Sequence, residues 1–177
     1  MIVWFTGLPC SGKTTIAKAV ERSIDTPLTV LGNDGYRMVE LLDGDDLRGS
    51  DFSKGIGFSK EERETHLLRV GYMAKKLSVR VPYVLCSFVS PFEDTRKKLP
   101  VDMMVYVKCS AEECAKRDVK GMWAKAIAGE MKGFTGHDAP YEEPVNPDLV
   151  LDTHLTPLKE CVKTILDKMK EMNGRTK

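Results

Sequence analysis

Gly7-Leu8-Pro9-Cys10-Ser11-Gly12-Lys13-Thr14, placed after the apolar run Met1-Ile2-Val3-Trp4-Phe5 and Thr6, decides how the whole chain is read. Glycine, four residues, glycine, lysine and a hydroxyl residue allow a backbone curl whose N–H groups face phosphate oxygens. The helix that follows aims its positive end at the same place. Lys13 is expected to reach the β- and γ-phosphates of a nucleoside triphosphate. Thr14 is expected to offer its hydroxyl to Mg²⁺, a hard cation that takes oxygen ligands. Strand, loop and helix in that order separate this pattern from a chance glycine turn.

Outward from the loop, strands and helices alternate. A helix is expected over about 13–23, and residues 26–36 are rich in Gly, Pro, Asn and Asp and read as irregular. Val39-Glu-Leu-Leu-Asp43 is a strand that ends on a carboxylate. Ser59 is placed to cap a helix, with Glu62 three residues on and Leu67, Val70, Met73, Ala74 and Leu77 at helical spacing. Pro82 breaks it. Tyr83–Phe88, Met103–Val107 and Leu149–Leu151 are short apolar runs of the buried-strand kind, and a last helix opens with Thr156 as cap and Pro157 at its first position. Such alternation predicts an α/β fold with a mainly parallel sheet covered on both faces. No repeat or composition shift marks a boundary, so 1–177 reads as one domain.

Composition limits the partners. The chain has 177 residues, a net charge of +1 and 30% charged residues, so neither a nucleic-acid nor a membrane surface is indicated. No apolar run approaches ~20 residues, and the N-terminal run lacks a signal-peptide pattern, which points to a cytoplasmic protein. Cys10, Cys86, Cys109, Cys114 and Cys161 are scattered and odd in number, against a disulfide framework or a zinc site.

Ligands of parallel sheets gather at the carboxyl ends of the strands. There the chain places Asp43, Asp45, Asp46 and Arg48 after the second strand, and Ser87, Val89, Ser90 and Pro91 after the third. Carboxylates beside a phosphate loop can hold Mg²⁺ through water or take a proton from an attacking hydroxyl; they can equally form turns and cap helices. Ser90-Pro-Phe-Glu93 has the spacing of a capping box, which makes Ser90 a cap and a poor nucleophile. Residues 117–147 carry Arg117, Lys120 and the block Lys132-Gly-Phe-Thr-Gly136, composition that suits either a mobile cover over phosphates or a solvated helix.

Taken together, Gly7–Thr15, Leu42-Asp-Gly-Asp-Asp-Leu-Arg48, Gly57-Phe-Ser59, Phe88-Val-Ser-Pro91, Arg117-Asp-Val-Lys-Gly121, Lys132–Gly136 and Asn146-Pro-Asp-Leu-Val-Leu-Asp152 resemble the adenylylsulfate kinase family, in order and over nearly the whole chain. The resemblance implies a P-loop kinase three-layer sandwich with a five-stranded parallel sheet. The reaction it implies is transfer of the ATP γ-phosphoryl group to the 3′-hydroxyl of adenosine 5′-phosphosulfate, with Mg²⁺, in a homodimer. It implies that Gly7, Leu8, Pro9, Cys10, Ser11, Gly12, Lys13, Thr14 and Thr15 cradle ATP under a lid at about 117–147 carrying Arg117 and Lys120. Phe58 and Phe134 would clamp the substrate adenine, and Arg48, Arg63 and Lys132 would meet the phosphosulfate. Asp43, His66, Val89, Ser90, Gly133 and Thr135 complete the expected substrate site. Asp45, with Lys13, would be catalytic, and Thr14 and Asp45 would stand near Mg²⁺; some members are described with a phosphoserine at the position of Ser90. Many members read Glu-Asn-Ile-Arg-Arg where this chain has Thr65-His-Leu-Leu-Arg69, so His66 and Leu68 depart from the pattern. Other readings are a kinase acting on another nucleotide, such as a cytidine diphosphate derivative, and a silent ATP-binding regulator. A GTPase switch is disfavoured, since no Asn-Lys-x-Asp element follows the loop.

Overall fold

A computed structural model describes residues 1–24 and 38–174; the irregular stretch expected over 26–36 lies outside the described residues. Five strands, β1 (Ile2–Thr6), β2 (Val39–Asp43), β3 (Tyr83–Ser87), β4 (Met103–Lys108) and β5 (Leu149–Asp152), form one sheet in the order β2-β3-β1-β4-β5. Every neighbouring pair is parallel. Parallel strands need crossovers, and α1 (Lys13–Ile24) and α3 (Lys60–Leu77) lie in the first two of them; the third long helix, α7 (Leu158–Gly174), follows β5 and packs back against α1. Shorter helices sit beside the ligand end: α2 (Gly44–Arg48), α4 (Glu93–Arg96), α5 (Ala111–Arg117) and α6 (Met122–Ile127).

The two-residue period of β1 divides the core. Val3 and Phe5 face α1 and α7, packing with Ile16, Val20, Val105, Ile165 and Met169, whereas Ile2 and Trp4 face α3 through Leu67, Val70 and Ala74. Both layers are fully covered, which is why the strands read as continuous apolar runs. Each such side chain contributes about 1.5–3 kcal/mol on burial, before chain entropy is subtracted. A third cluster, Cys109, Cys114, Trp123, Ala126 and Phe134, stands apart from the sheet and packs on Leu8 and Cys10 of the phosphate loop. All five cysteines are free thiols, four of them buried.

Ser59 caps α3 as its spacing predicts: its hydroxyl accepts from Glu62 N–H, and the Glu62 carboxylate accepts from Ser59 N–H. Two local expectations are corrected. Helix α7 starts at Leu158, with Cys161 N–H bonding the Pro157 carbonyl, so the helix begins one residue later than the Thr156 cap implied. Ser90 does not cap α4, which begins at Glu93 after Phe92. Its φ of 45° is left-handed, and its hydroxyl oxygen accepts the Trp4 indole N–H at 2.9 Å. The Glu93 N–H bonds instead to the Glu142 carboxylate at 2.7 Å, a partner 49 residues away that local spacing cannot reveal. Among the described residues no helix is long and apolar enough to cross a membrane.

Candidate active site

The loop between β1 and α1 is built by close contact with its neighbours. A Cβ on Gly7 would lie 2.4 Å from the Val107 carbonyl oxygen, so only glycine lets the loop start where it does. The Pro9 carbonyl accepts from the Trp123 indole at 3.2 Å, and the Ser11 carbonyl accepts from the Thr153 hydroxyl at 2.9 Å. Within a planar peptide the N–H points opposite to the C=O, so the N–H groups of Cys10 and Gly12 are turned to the other side. Cys10 holds a φ of 65°, unusual for a residue with a side chain and part of the same curl. Thr15 is exposed. The Lys13 ammonium folds back to donate to the Leu8 carbonyl at 2.6 Å, and burial pushes its pKa down to about 8.

Beside the loop, Thr14 donates to the Asp43 carboxylate at 2.7 Å and lies 3.2 Å from the Ser87 hydroxyl. The other Asp43 oxygen accepts Asp45 N–H and caps α2, so one carboxylate serves the helix start and the phosphate-loop residue Thr14. Thr14 therefore meets Asp43 directly. Asp45 is exposed and pairs with Lys120 at 2.6 Å; Asp46 is exposed on the same helix. Lys120 thus stands over the carboxylates, while Arg117 donates to the Thr153 hydroxyl and carbonyl at 3.0 Å each and to Glu113 at 3.3 Å. Through Thr153, Arg117 supports the loop carbonyl of Ser11.

A second group lies on the α3 side. Phe58 is 63% exposed, with the Arg48 and Arg63 guanidinium carbons 4.7 and 5.3 Å from its ring centroid. Arg48 donates to the Ile56 and Gly57 carbonyls, and burial lowers its pKa. Arg63 donates to the Phe58 and Gly133 carbonyls and the Thr135 hydroxyl; burial and the neighbouring Arg48 charge lower its pKa too. Phe134 is buried, meeting the Trp123 ring edge-on at 5.0 Å, and Lys132 is exposed.

His66 is neither on the helix surface nor charged. It is 3% exposed, between the rings of Phe52 and Phe88, and burial with the nearby Arg48 and Arg69 charges pushes its pKa down to about 4. Its tautomer follows from its neighbour: the Ser53 hydroxyl donates to the Leu47 carbonyl at 2.8 Å, so at 3.3 Å from Nδ1 it must accept. Nδ1 carries the proton, and Nε2 is a buried acceptor without a protein donor.

Three residues that the motifs did not single out tie this region together. Thr6 donates to the Val89 carbonyl at 2.7 Å and therefore accepts from the Tyr141 hydroxyl at 3.0 Å. Arg96, 4% exposed, donates to the carbonyls of Ser90 and Glu142 and pairs with Glu93. Trp123 joins the phosphate loop to Phe134. The one signal available was Trp123 itself, one of two tryptophans in the chain.

The family model for adenylylsulphate kinase matches residues 1–152. A protein named a probable adenylyl-sulfate kinase from Pseudomonas aeruginosa is 44% identical, with 99% of this chain and 79% of that protein covered. The adenylyl-sulfate kinase of Chloroflexus aurantiacus is 41% identical, with 98% and 90% covered. Among solved structures, the Mycobacterium tuberculosis APS kinase CysC in complex with AMPPNP and APS superposes with a TM-score of 0.81 at 33% identity, over 96% of each chain. Its fold is the P-loop kinase sandwich. Matched along most of its length by that family model and by relatives at this level of identity, the chain belongs to the adenylylsulphate kinase family.

Proposed function

We propose that this protein transfers the γ-phosphoryl group of ATP to the 3′-hydroxyl of adenosine 5′-phosphosulfate, giving 3′-phosphoadenylyl sulfate and ADP. The observation that carries this reading is the meeting of two unlike subsites at the carboxyl end of the sheet. One is a phosphate loop with Lys13, Thr14 and Asp43; the other is a ring flanked by two arginines, Phe58 with Arg48 and Arg63. The first suits a triphosphate and the second an adenine nucleotide bearing a further anion.

Phosphoryl transfer asks the protein mainly for positioning and for charge opposite the developing negative charge. Lys13 supplies that charge once it leaves the Leu8 carbonyl for a phosphate. Thr14, Asp43 and Ser87 form a set of hard oxygen donors that fits Mg²⁺, directly or through water. Held there by Thr14, Asp43 and Ser87 with ATP, the ion would offset negative charge on the phosphates. Asp45 accepts the proton of the attacking hydroxyl, which requires Lys120 to move from the carboxylate to the phosphates. Arg117 and Lys120 belong to a lid over about 117–147 that excludes water from the transferring group. In the same reading Ser90 is structural and transfer is direct, and the chain is one kinase domain working in the cytoplasm as a homodimer.

The test is a coupled assay with Mg-ATP and adenylyl sulfate, with the product identified as phosphorylated on the 3′-hydroxyl. ADP formation that ignores adenylyl sulfate, or prefers a cytidine diphosphate derivative, overturns the substrate. Asp45→Asn should abolish most of kcat while the ATP KM moves by less than about tenfold. Comparable kcat in that variant would reduce Asp45 to a helix surface residue.

A further inference from the structure

Helix α3 buries His66, Leu67, Val70, Gly71 and Ala74, and a Cβ on Gly71 would lie 2.8 Å from Pro100, so its inner side is seated closely on the body of the protein. Its outer side is apolar as well. Leu68 is 38% and Tyr72 66% exposed, and with Phe52, Thr65, Arg69 and Met73 they line a shallow groove between α3 and the short turn Asp51–Ser53. Phe52 is backed by the His66 ring, edge-on at 5.9 Å. Neither Leu68 nor Tyr72 belongs to the phosphate or arginine subsites, and Leu68 is one of the positions at which the chain departs from the family pattern.

The charges on this side are divided by position. Glu61, Thr65, Leu68, Tyr72 and Lys76 recur at helical spacing and form one stripe, roughly 22 Å long at 1.5 Å per residue. Lys60 pairs with Asp94 at 2.9 Å, Glu64 pairs with Lys98, and Glu62 closes the capping box. Glu61 is left as the first-turn carboxylate without an ion partner among the described residues. At the other end Lys76 stands 5.3 Å from the Tyr72 ring centroid, with Lys75 exposed beside it. Glu61 and Lys76 are equally distant in sequence from the midpoint between Leu68 and Arg69, and so are Thr65 and Tyr72. A two-fold axis through that midpoint lays the stripe on itself with acid against base at both ends and each Tyr72 over the other copy's groove at Thr65. A parallel copy would set Glu61 against Glu61 and Lys76 against Lys76, and a partner of uniform charge would be repelled at one end. Arg69, at the groove edge, is exposed and keeps its charge in the solvated rim.

We propose that the outer face of α3 is the contact between two copies of this chain, packed antiparallel about a two-fold axis beside Leu68. This rests on the homodimer of the proposed function and names its interface. A two-fold contact uses the same patch on both copies, and this patch carries both a projecting ring, Tyr72, and a groove to receive it. Leu68 and Tyr72 lie at its centre, where side chains lose most water and carry most of the affinity. The Glu61–Lys76 pairs lie at the rim and set orientation and register.

The experiment is sedimentation velocity on the purified chain at roughly 1–100 µM, the range in which a modest interface dissociates. Wild type should be dimeric at the upper end. Leu68→Arg should raise the dimer Kd by ~10-fold or more, because it puts a charge at the centre of the contact. Glu61→Lys and Lys76→Glu should each raise it by about threefold or more, and the double variant should return to within about twofold of wild type. Both exchanges oppose the helix dipole, so recovery in the double variant cannot come from a steadier helix. A wild type that stays monomeric overturns the inference together with the homodimer and leaves the face to a different partner. A dimer indifferent to Leu68→Arg, or a double variant weaker than either single one, overturns this interface alone and moves the dimer contact elsewhere. Failure of phosphoryl transfer would show separately, in the coupled assay, since sedimentation needs no substrate.

Discussion

Two buried groups make the chemistry of single residues visible in a titration. Lys13 has its pKa lowered to about 8 by burial, so in the free enzyme its charge is lost as pH rises through that value. Phosphates bound beside it favour the charged form. The expected outcome is a fall in kcat/KM for Mg-ATP above about pH 8 with little fall in kcat, read from full pH–rate profiles, because the first reports the free enzyme and the second the complex. His66 runs the other way in its effect on the fold. Its folded pKa of about 4 lies below the ordinary 6.5, so the unfolded chain binds the proton more readily. Its contribution to stability is therefore whole above pH 6.5 and is lost as pH falls toward 4. Denaturant titrations should show His66→Gln with a shallower loss of stability across that window than wild type, the difference being of order 2–3 kcal/mol. Equal slopes would mean that the imidazolium finds an acceptor or water for its Nε2 proton. Neither behaviour was legible in the sequence: Lys13 was placed by its motif, but the charge state depends on burial, and His66, read as a substrate contact, is buried between Phe52 and Phe88, which no local signal shows.

At the scale of elements, what could be read and what could not divide by distance along the chain. β1 to β5, α1, and the Ser59 cap of α3 are specified by periodicity and by groups within four residues, and they stand where those signals put them. The start of α4 is specified by Glu142, and Ser90 is taken by Trp4, so its spacing to Glu93 was a coincidence of composition. The candidate site follows the same rule. The phosphate loop was legible because it is one continuous segment; the meeting of Thr14 with Asp43, and of Arg63 with the Phe134 turn, required the sheet order and the packing of residues 133–139. A prediction belongs here. Ser90→Asp, which a capping role would tolerate, should destabilise the protein more than Ser90→Ala, because it buries a carboxylate at a site 1% exposed whose single donor is an indole. Ser90→Ala should cost about 1–3 kcal/mol for the orphaned Trp4 N–H. Thermal or urea unfolding of the two variants measures the order. Glu142→Gln keeps an acceptor for Glu93 N–H and should fall below about 1 kcal/mol, whereas Glu142→Ala should exceed it.

For the whole molecule, the sheet puts its earliest strand in the middle. β1 pairs with Val84–Ser87 on one side and Met103–Tyr106 on the other, and α1, which follows the phosphate loop, packs beneath strands that come after it. During synthesis the nucleotide loop is therefore made first and completed late. At about 5–20 residues per second, roughly a hundred residues separate β1 from β4, its later strand partner, a delay on the order of 5–20 s. Ribosome-bound chains arrested before Lys108 has left the exit tunnel should not be retained on immobilised ATP, and those arrested well beyond it should be. Through that interval Ile2–Phe5 is an apolar strand with two bare edges, the state in which a nascent chain most needs a chaperone. The central position that makes β1 the best-protected strand of the finished enzyme makes it the most exposed one while the enzyme is being born.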